Sequence, residues 1–354
     1  MFAQRFHTIS SRLLPSYLAR PTIKRRMATV VHNSVPHEDR TASEPRQHQI
    51  EPVTITQIRD INATTRVLRL TPTDLNRTIK VRRPSTSTPT STKPIHPQHL
   101  TIPQFLPGQW LDTFIPTLPK AGGFTITSPP SAAIPKPNSP GYLELAVQNS
   151  SNPPAKYFHR PIDSILNSQL AIRVGGSFTY PPPALPIPTR NITRLVLIAG
   201  GVGINPLISI LSHLIQLHPS QRPEEIHFLY GTKTTESEPD PQSILFLPRL
   251  MDLVSAAAEP LDVTLSLFLT GPTGYENGEK IEHGKLPNRT WARRIGEGDL
   301  VGALDGWKRA EGSKGREGTV CYVCGPQRMT DEVVEFLGRQ EGMEKGRVLC
   351  EKWW

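Results

Sequence analysis

The sequence has few cysteines and no long apolar run. Three of its 354 residues are cysteine, Cys321, Cys324 and Cys350, which excludes a disulfide scaffold. Cys321 and Cys324 have the C-x-x-C spacing of a zinc site, but no second cysteine pair or histidine cluster completes a tetrahedral set. On a strand such as TVCYVC they also point to opposite faces, which argues against a redox dithiol. The cysteines therefore predict no metal site. No stretch of about 18 apolar residues occurs, so the sequence predicts no transmembrane segment.

Acidic residues are absent from the first 37 positions. Six basic side chains lie there instead: Arg5, Arg12, Arg20, Lys24, Arg25 and Arg26. Without them the net charge of +9 falls to +3. Because the basic charge is concentrated in a tail, the sequence does not predict a nucleic-acid-binding protein.

The tail has the composition of a mitochondrial transit peptide, since it is rich in arginine, contains serine and threonine, and has no acid. Phe2, Phe6, Ile9 and Leu13 recur at helical spacing and line one face. We therefore predict that residues 1–40 are a transit peptide with a linker, and that the protein resides in the mitochondrial matrix. A disordered basic arm is the alternative. The polar stretch up to about residue 50 is predicted to be linker.

In the rest of the chain, the hydrophobic pattern changes near residue 190. Short alternating segments between residues 50 and 188 predict an antiparallel β-barrel or sandwich, interrupted at 82–103 by a Pro/Ser/Thr-rich stretch that predicts a disordered insertion. From residue 191, apolar strands such as RLVLIAG alternate with helical patterns such as PLISILSHLIQLH. That alternation predicts a parallel sheet covered by helices on both faces.

A glycine-rich turn, AGGVGINP, joins the first strand of this second domain to its helix. Gly200, Gly201 and Gly203 allow the backbone to turn tightly and to approach a phosphate at a helix N-terminus. The third glycine position of the G-x-G-x-x-G pattern carries Pro206, which suits a first helical turn. A dinucleotide site and a purely structural turn both remain open from these residues alone.

A second turn, CGPQRM, also follows a strand and precedes a helix. Gly325 and Pro326 place it at the carboxyl edge of the sheet, where open α/β sheets bind ligands. We expect Cys324 to be exposed at that edge. A buried, structural cysteine is the alternative.

Six segments taken together, GQWLDTFIP, GGFTITS, AGGVGINP, YGTK, CGPQRM and the terminal EKWW, resemble the ferredoxin–NADP reductase superfamily in the same order. The resemblance covers residues 50–354 and points to a mitochondrial branch. It implies a two-domain α+β fold: an antiparallel six-stranded Greek-key β-barrel that binds FAD, then a doubly wound parallel α/β domain, residues 191–354, that binds NAD(P)H.

The resemblance also implies roles for individual residues. Thr125 matches a hydroxyl that faces flavin N5, and Cys324 matches the cysteine beside the nicotinamide; these are the predicted catalytic residues. Phe124 matches an aromatic that covers the flavin ring, and the final Trp353 and Trp354 match aromatics that stack on flavin and adenine. Docking of the tryptophans into their own domain is the alternative. The other predicted cofactor-binding residues are Ile126, Thr127, Gly175 and Gly176 in the barrel, and Gly200, Gly201, Val202, Gly203, Ile204, Asn205, Pro206, Tyr230, Gly231, Thr232, Lys233, Gly325, Pro326 and Met329 in the second domain.

The FAD motif is weakened. The family's signature begins with an arginine that pairs with the FAD pyrophosphate, and Gly122 stands in its place. A second segment that usually carries a glycine and a serine has Asn152 and Ala155. Losing a charge-assisted contact costs about 1.5–3 kcal/mol. Lys156 and His159 could supply compensating charge or could be surface residues.

Two functions follow from these patterns. The first is a flavoprotein oxidoreductase that passes hydride from NAD(P)H to FAD and electrons to an acceptor, a protein being one option. The second is an NAD(P)-binding sensor or assembly protein that has lost reliable FAD binding. Ser243 stands where NADH-preferring relatives carry an aspartate, and Lys233 could attract a 2′-phosphate. The sequence therefore slightly favours tolerance of NADPH and leaves the choice between NADH and NADPH open. It does not identify the acceptor, for which 82–103 and 272–318 are candidate surfaces.

Overall fold

The protein has two packed domains preceded by a short N-terminal segment. The structure is a computed structural model that describes residues 35–73, 105–137, 139–234, 238–257, 261–271, 278–307 and 315–353. Residues 1–34 of the predicted transit peptide, the predicted insertion at 82–103 and Trp354 lie outside the described residues.

The first domain is an antiparallel barrel. Its strands are β1 (Glu51–Asn62), β2 (Thr65–Pro72), β3 (Trp110–Phe114), β4 (Gly122–Thr125), β5 (Leu143–Gln148) and β6 (Gln169–Gly175). They pair in the order β4-β3-β6-β1-β2-β5. Ile126, directly after β4, forms a bridge with Leu145 of β5, which brings the two ends of the sheet together. This topology confirms the predicted six-stranded Greek-key barrel. Three short helices accompany it: α1 (His37–Arg40), α2 (Pro153–Phe158) and α3 (Ile162–Ile165).

The second domain is a parallel sheet between helices. Its strands are β7 (Arg194–Gly200), β8 (Glu225–Lys233), β9 (Asp262–Thr270), β10 (Thr290–Trp291), β11 (Thr319–Cys324) and β12 (Val348–Glu351), and its helices are α4 (Ile204–Leu214), α5 (Leu247–Ala256), α6 (Glu297–Leu304) and α7 (Gln327–Gly338). The strand order is β10-β9-β8-β7-β11-β12. Along β7, Leu195 and Leu197 pack in one hydrophobic cluster while Val196 and Ile198 pack in another. The sheet is therefore covered on both faces, as predicted.

Helix α4 joins the two domains. Val67 of β2 and Ala146 of β5 belong to the same hydrophobic cluster as the apolar residues of α4. Ser209 Oγ donates to the carbonyl of Ser128 at 2.8 Å, and Asn205 Nδ2 donates to the carbonyl of Ala146 at 2.9 Å. These contacts fix the start of α4, and with it the glycine turn, against the barrel strands.

The segment from residue 35 to residue 48, which we call the N-terminal strap, packs along β6. The amide of Gln47 donates to the carbonyl of Val174 at 2.9 Å, and the amide of Gly176 donates to the carbonyl of Pro45 at 2.9 Å. The expectation that this part of the chain is linker is therefore wrong, because its backbone extends the pairing of a barrel strand.

Within the described part of the chain, no helix is long and apolar enough to cross a membrane. The same residues contain no group of three or more His, Cys, Asp or Glu side chains that could hold a metal ion.

Candidate functional site

The glycine turn and the CGP turn are packed against each other at the carboxyl edge of the parallel sheet. A Cβ atom added to Gly203 would lie 2.2 Å from the carbonyl oxygen of Cys324, and one added to Gly200 would lie 2.5 Å from the sulfur of Met329. Gly325 also lies beside Gly200, with its own added Cβ 3.1 Å from the Gly200 Cα. Glycine at 200 and 203 is thus required by this packing, whether or not a ligand binds.

Gly201 is different, because it faces open space. Its φ angle is +54°, in the left-handed region that favours glycine, and an added Cβ would have no neighbour within 4 Å. Helix α4 follows directly and has no acidic residue in its first turn. An open backbone turn at the positive end of an 11-residue helix is a suitable place for a dinucleotide diphosphate. The residues present therefore fit a nicotinamide dinucleotide.

Other residues predicted in this turn have structural contacts. Ile204 is fully buried in the core, Val202 is half-buried beside it, and Pro206 is buried in the first turn of α4. The side chain of Asn205 is directed at the barrel, where it binds Ala146. These four side chains shape the turn and hold it in place.

Cys324 is buried, so the expectation of an exposed thiol is wrong. It is the last residue of β11, is 1% exposed, and pairs with Glu351 on β12. Burial, reinforced by the nearby Glu351, raises the pKa of its thiol well above the usual value. Cys324 therefore carries a protonated thiol at neutral pH. Its predicted place beside the nicotinamide stays a prediction.

The end of β8 is only partly available to a ligand. Tyr230 is fully buried in the core, and burial raises the pKa of its hydroxyl. Gly231 and Thr232 are half-buried, and Lys233 is exposed at the carboxyl end of the strand. Of the four predicted residues, only these last three are accessible from solvent, and their contact with an adenosine stays a prediction.

In the barrel, β4 carries the predicted flavin-facing residues. Thr125 is 5% exposed, and Phe124 is half-buried against Phe158, with ring centroids 5.2 Å apart. Ile126 lies in the barrel core, and Thr127 Oγ1 donates to Glu144 Oε1 at 2.9 Å. The side chains of Ile126 and Thr127 thus contact the protein itself.

Gly175 and Gly176 give room to Trp110. A Cβ added to either would lie within 2.6 Å of the Trp110 indole. The strap covers the same place, since Arg46 bridges to Gly175 and its guanidinium lies 4.9 Å from a Trp110 ring centroid. Small residues are needed here for packing.

Gly122, which stands at the position of the family's arginine, has no room for a side chain. A Cβ added to Gly122 would lie 2.5 Å from Pro154 Cβ and 2.7 Å from a ring carbon of Phe124. Pro154 is buried and follows Pro153 at the start of α2. The space beside Gly122 is therefore filled by Phe124 of the same strand and by Pro154, which lies far from Gly122 in the sequence.

The opposite side of β4 is covered by the strap. A Cβ added to Gly123 would lie 2.1 Å from the His37 imidazole. His37 Nε2 lies 3.1 Å from Oδ1 of the fully buried Asp112. Arg46 and Arg173 also bind Asp112, with N–O distances of 2.9 and 2.6 Å. Burial acts to raise the pKa of Asp112, but hydrogen bonds from these three side chains outweigh it and lower the pKa to about 2.

Trp353 completes this cluster from the other end of the chain. Its indole stacks on His37 and lies edge-on to Trp110. The indole Nε1 donates to Glu351 Oε2 at 3.0 Å. The carbonyl of Trp353 accepts a hydrogen bond from the Arg40 guanidinium. Burial raises the pKa of Glu351 to about 8; the Trp353 hydrogen bond acts to lower it. In this structure Trp353 thus packs on its own chain.

Sequence reasoning missed His37, Asp112, Pro154 and Glu351. The sequence does indicate two of them, Asp112 and Glu351. Each is an acid in or next to a strongly apolar strand, where burying an unpaired charge costs free energy. It does not indicate His37 and Pro154, because their partners are distant in sequence.

Comparison with known proteins agrees with this architecture. No family model matches the chain. Oxidoreductase NAD-binding domain-containing protein 1 of Xenopus tropicalis is 31% identical over 356 residues, covering 99% of this chain and 94% of the relative. The Homo sapiens protein of that name is 34% identical over 251 residues, 71% of each chain.

Solved structures show the same fold at low identity. The CS-b5R domains of human Ncb5or in the NAD+ form match with a TM-score of 0.54 and 16% identity, over 86% of this chain and 70% of that one. A ferredoxin NADP+ reductase from Neisseria gonorrhoeae with bound FAD and NADP matches with a TM-score of 0.52 and 13% identity, over 86% and 99%. The predicted family and fold are confirmed: the chain belongs to the oxidoreductase NAD-binding domain-containing protein 1 family, and it has the two-domain fold of the ferredoxin NADP+ reductase.

Proposed function

We propose that the protein is an NAD(P)H-dependent oxidoreductase in which hydride passes from the nicotinamide to a flavin, and electrons then pass to a separate acceptor. The observation that carries the proposal is Gly201, whose left-handed turn opens to solvent at the start of α4. Neighbouring glycines are filled by packing, but this one leaves backbone accessible to a diphosphate. The names of the relatives and the FAD and NADP bound to the Neisseria gonorrhoeae protein support the same chemistry.

The barrel and the nucleotide turn share one interface, as such a reaction requires. Ser128, three residues after Thr125, accepts the hydrogen bond from Ser209 of α4. The chain would bind and orient the nucleotide through the turn, and the flavin would supply the redox chemistry. Thr125 would then be the hydroxyl that contacts the flavin, and Cys324 would shape the nicotinamide pocket as a neutral thiol.

A nucleotide-binding sensor or assembly protein is the second candidate. It is favoured by Pro154, which fills the space beside Gly122 where the family's arginine would hold FAD.

The two candidates differ in whether the protein turns over NAD(P)H. The test is steady-state oxidation of NADPH and NADH by the full chain, with added flavin and ferricyanide as final acceptor. Turnover that is lost in Gly201→Val supports the oxidoreductase; nucleotide binding without turnover supports the sensor.

We also propose import into the mitochondrial matrix, on the basis of the acid-free, arginine-rich tail. Isolated mitochondria incubated with the labelled full chain should convert it to a shorter, protease-protected form. A chain lacking residues 1–33 should remain outside. Equal protection of both chains would contradict the proposal.

A further inference from the structure

A buried carboxylate of the barrel is bound by an arginine of the second domain. Glu144 lies on β5 and is 2% exposed. Arg249 lies in the first turn of α5, and its Nη2 donates to Glu144 Oε1 at 2.6 Å. Its Nη1 donates to the carbonyl of Thr127 at 3.3 Å. The guanidinium therefore binds two separate groups of the barrel at once, which its planar fork allows and a single ammonium does not.

The same glutamate orders the segment that follows β4. Thr127 Oγ1 donates to Glu144 Oε1 at 2.9 Å, and the amide of Thr127 donates to the Glu144 carbonyl at 2.8 Å. The amide of Glu144 donates to Ser128 Oγ at 3.1 Å. The carbonyl of Ser128 accepts the hydrogen bond from Ser209 of α4. Two helices of the second domain, α4 and α5, thus hold one short stretch of the barrel, residues 127–128.

Arg249 is itself held in place by Phe246, the residue directly before α5. Phe246 has a φ angle of +59°, a left-handed conformation that is strained for any residue other than glycine and persists only where the surroundings fix it. Its buried ring lies next to the guanidinium, with Arg249 Cζ 4.8 Å from the ring centroid. A side chain that is already oriented loses less conformational freedom when it binds its partner. The contact with Glu144 is therefore suited to fixing one orientation of the two domains.

A second arginine lies near Glu144 but belongs to the barrel. Arg69, on β2, has its Nε 3.9 Å from Glu144 Oε2, and 40% of its side chain is exposed. Its guanidinium lies 4.3 Å from the ring centroid of Tyr142. Arg69 adds positive charge beside the buried carboxylate without linking the two domains. It is therefore the matched control for Arg249.

We propose that Arg249 and Glu144 are positioning residues, which set the orientation of the nucleotide-binding domain relative to the barrel. The inference rests on the proposed function. Hydride passes only between atoms that are held about 3–3.5 Å apart, so a nucleotide carried by one domain needs a fixed relation to the other. Helix α4 begins directly after the glycine turn. Fixing residues 127–128 against α4 and α5 therefore fixes the turn as well.

The test is NADPH oxidation by the full chain, with added flavin and ferricyanide, in the double variant Glu144→Gln with Arg249→Met. Removing both charges leaves no buried, unpaired ion, so the double variant should unfold at the same urea concentration as the parent. We expect kcat to fall about tenfold or more while KM for NADPH changes less than about threefold. A double variant with the parent's stability and the parent's kcat would overturn the inference, since the pair would then only stabilise the fold.

Two single variants separate positioning from local charge. Arg69→Met should keep the kcat of the parent. Arg249→Lys keeps a cation for Glu144 but cannot also bind the carbonyl of Thr127, so its kcat should lie between those of the parent and the double variant. If Arg69→Met lowers kcat as far as the double variant does, the charge around Glu144 matters and the link between the domains does not.

Hydrogen exchange distinguishes failure of this inference from failure of the proposed function. A parent chain that oxidises no NADPH with any added flavin would overturn the proposed function. The backbone amides of α4 and of residues 125–133 should still exchange faster in the double variant than in the parent, with those of the central strand β7 unchanged. Equal exchange in the two chains would overturn the orienting role of the pair, whatever the outcome for turnover.

Discussion

The indole of Trp353 stacks on the imidazole of His37, with ring centroids 5.6 Å apart and an interplanar angle of 18°. The two residues come from opposite ends of the described chain, and they meet on the face of β4 that carries Gly123 and Thr125. The N-terminal strap is therefore part of the candidate site. Removal of a leader must leave residues from about Val35 onward if this cluster is to form.

Replacing His37 by alanine should destabilise the fold. Asp112 would lose one of its three partners and Trp353 its stacking surface, at a cost of about 1–3 kcal/mol in the free energy of unfolding. Urea unfolding at neutral pH measures the difference. His48→Ala, an exposed position on the same strap, is the control and should change little. Equal stability of the two variants would show that the cluster contributes nothing.

Asp112→Asn should be more damaging, because it leaves Arg46 and Arg173 without their buried anion. Removing one partner of a buried ion pair costs about 3–5 kcal/mol. The pKa of Asp112 in the folded state is about 2, below its ordinary 3.8. The stabilisation that its carboxylate gives the fold is therefore present above about pH 4 and is lost as pH falls towards 2. The free energy of unfolding, measured across this pH range, should fall in the parent chain but not in the variant. Asp252→Asn, at an exposed position of α5, should keep the parent's profile.

Glu351 should give the opposite pH dependence. Its folded pKa of about 8 lies above the ordinary 4.5, so the folded state holds a proton that the unfolded state releases. Its contribution to stability is greatest below pH 4.5 and is lost as pH rises towards 8, by at most about 1.4 kcal/mol per pH unit. Glu351→Gln should flatten that part of the stability profile. A variant that keeps the parent's slope between pH 5 and 8 would contradict the assignment.

Two glycines of the same turn should respond differently to alanine. Gly203→Ala places a methyl group 2.2 Å from the Cys324 carbonyl and should cost more than about 2 kcal/mol in stability. Gly201→Ala projects into open space and should cost about 1–2 kcal/mol, for its left-handed φ. If the proposed site is correct, it should nevertheless weaken NADPH binding, because the methyl group would then project towards the diphosphate. Thermal unfolding and NADPH fluorescence titrations separate the two effects; unchanged NADPH affinity in Gly201→Ala would remove Gly201 from the site.

Lys233 should affect the choice of coenzyme. It is exposed at the end of β8, and in the proposed site its cation would attract a 2′-phosphate. Lys233→Glu should weaken NADPH binding about tenfold relative to NADH, through like-charge repulsion. Lys156→Glu, on α2 of the barrel, is the charge-matched control. If both variants alter the NADPH-to-NADH ratio equally, the effect is one of net charge.

The parts of the fold that depend on local pattern could be predicted from the sequence. RLVLIAG and TVCYVC are mostly apolar, and both are parallel strands that are buried at every residue except Arg194. Contacts between distant segments could not be predicted in this way. Nothing local in GGFTITS shows that Pro154 fills the space beside Gly122, or that His37 covers Gly123. The sequence predicts an exposed Cys324 because open α/β sheets bind ligands at the carboxyl edge, but Gly203 packs directly on the Cys324 carbonyl.

The central claim is that hydride passes from a bound nicotinamide to a flavin. The most direct measurement is the visible absorption spectrum of the full chain mixed anaerobically with flavin, before and after addition of NADPH or NADH. The account predicts that the flavin bands bleach at a rate proportional to protein concentration, and that Gly201→Val abolishes the bleaching. Flavin bands that persist while a parallel titration shows bound NADPH would contradict the account and would favour a nucleotide sensor.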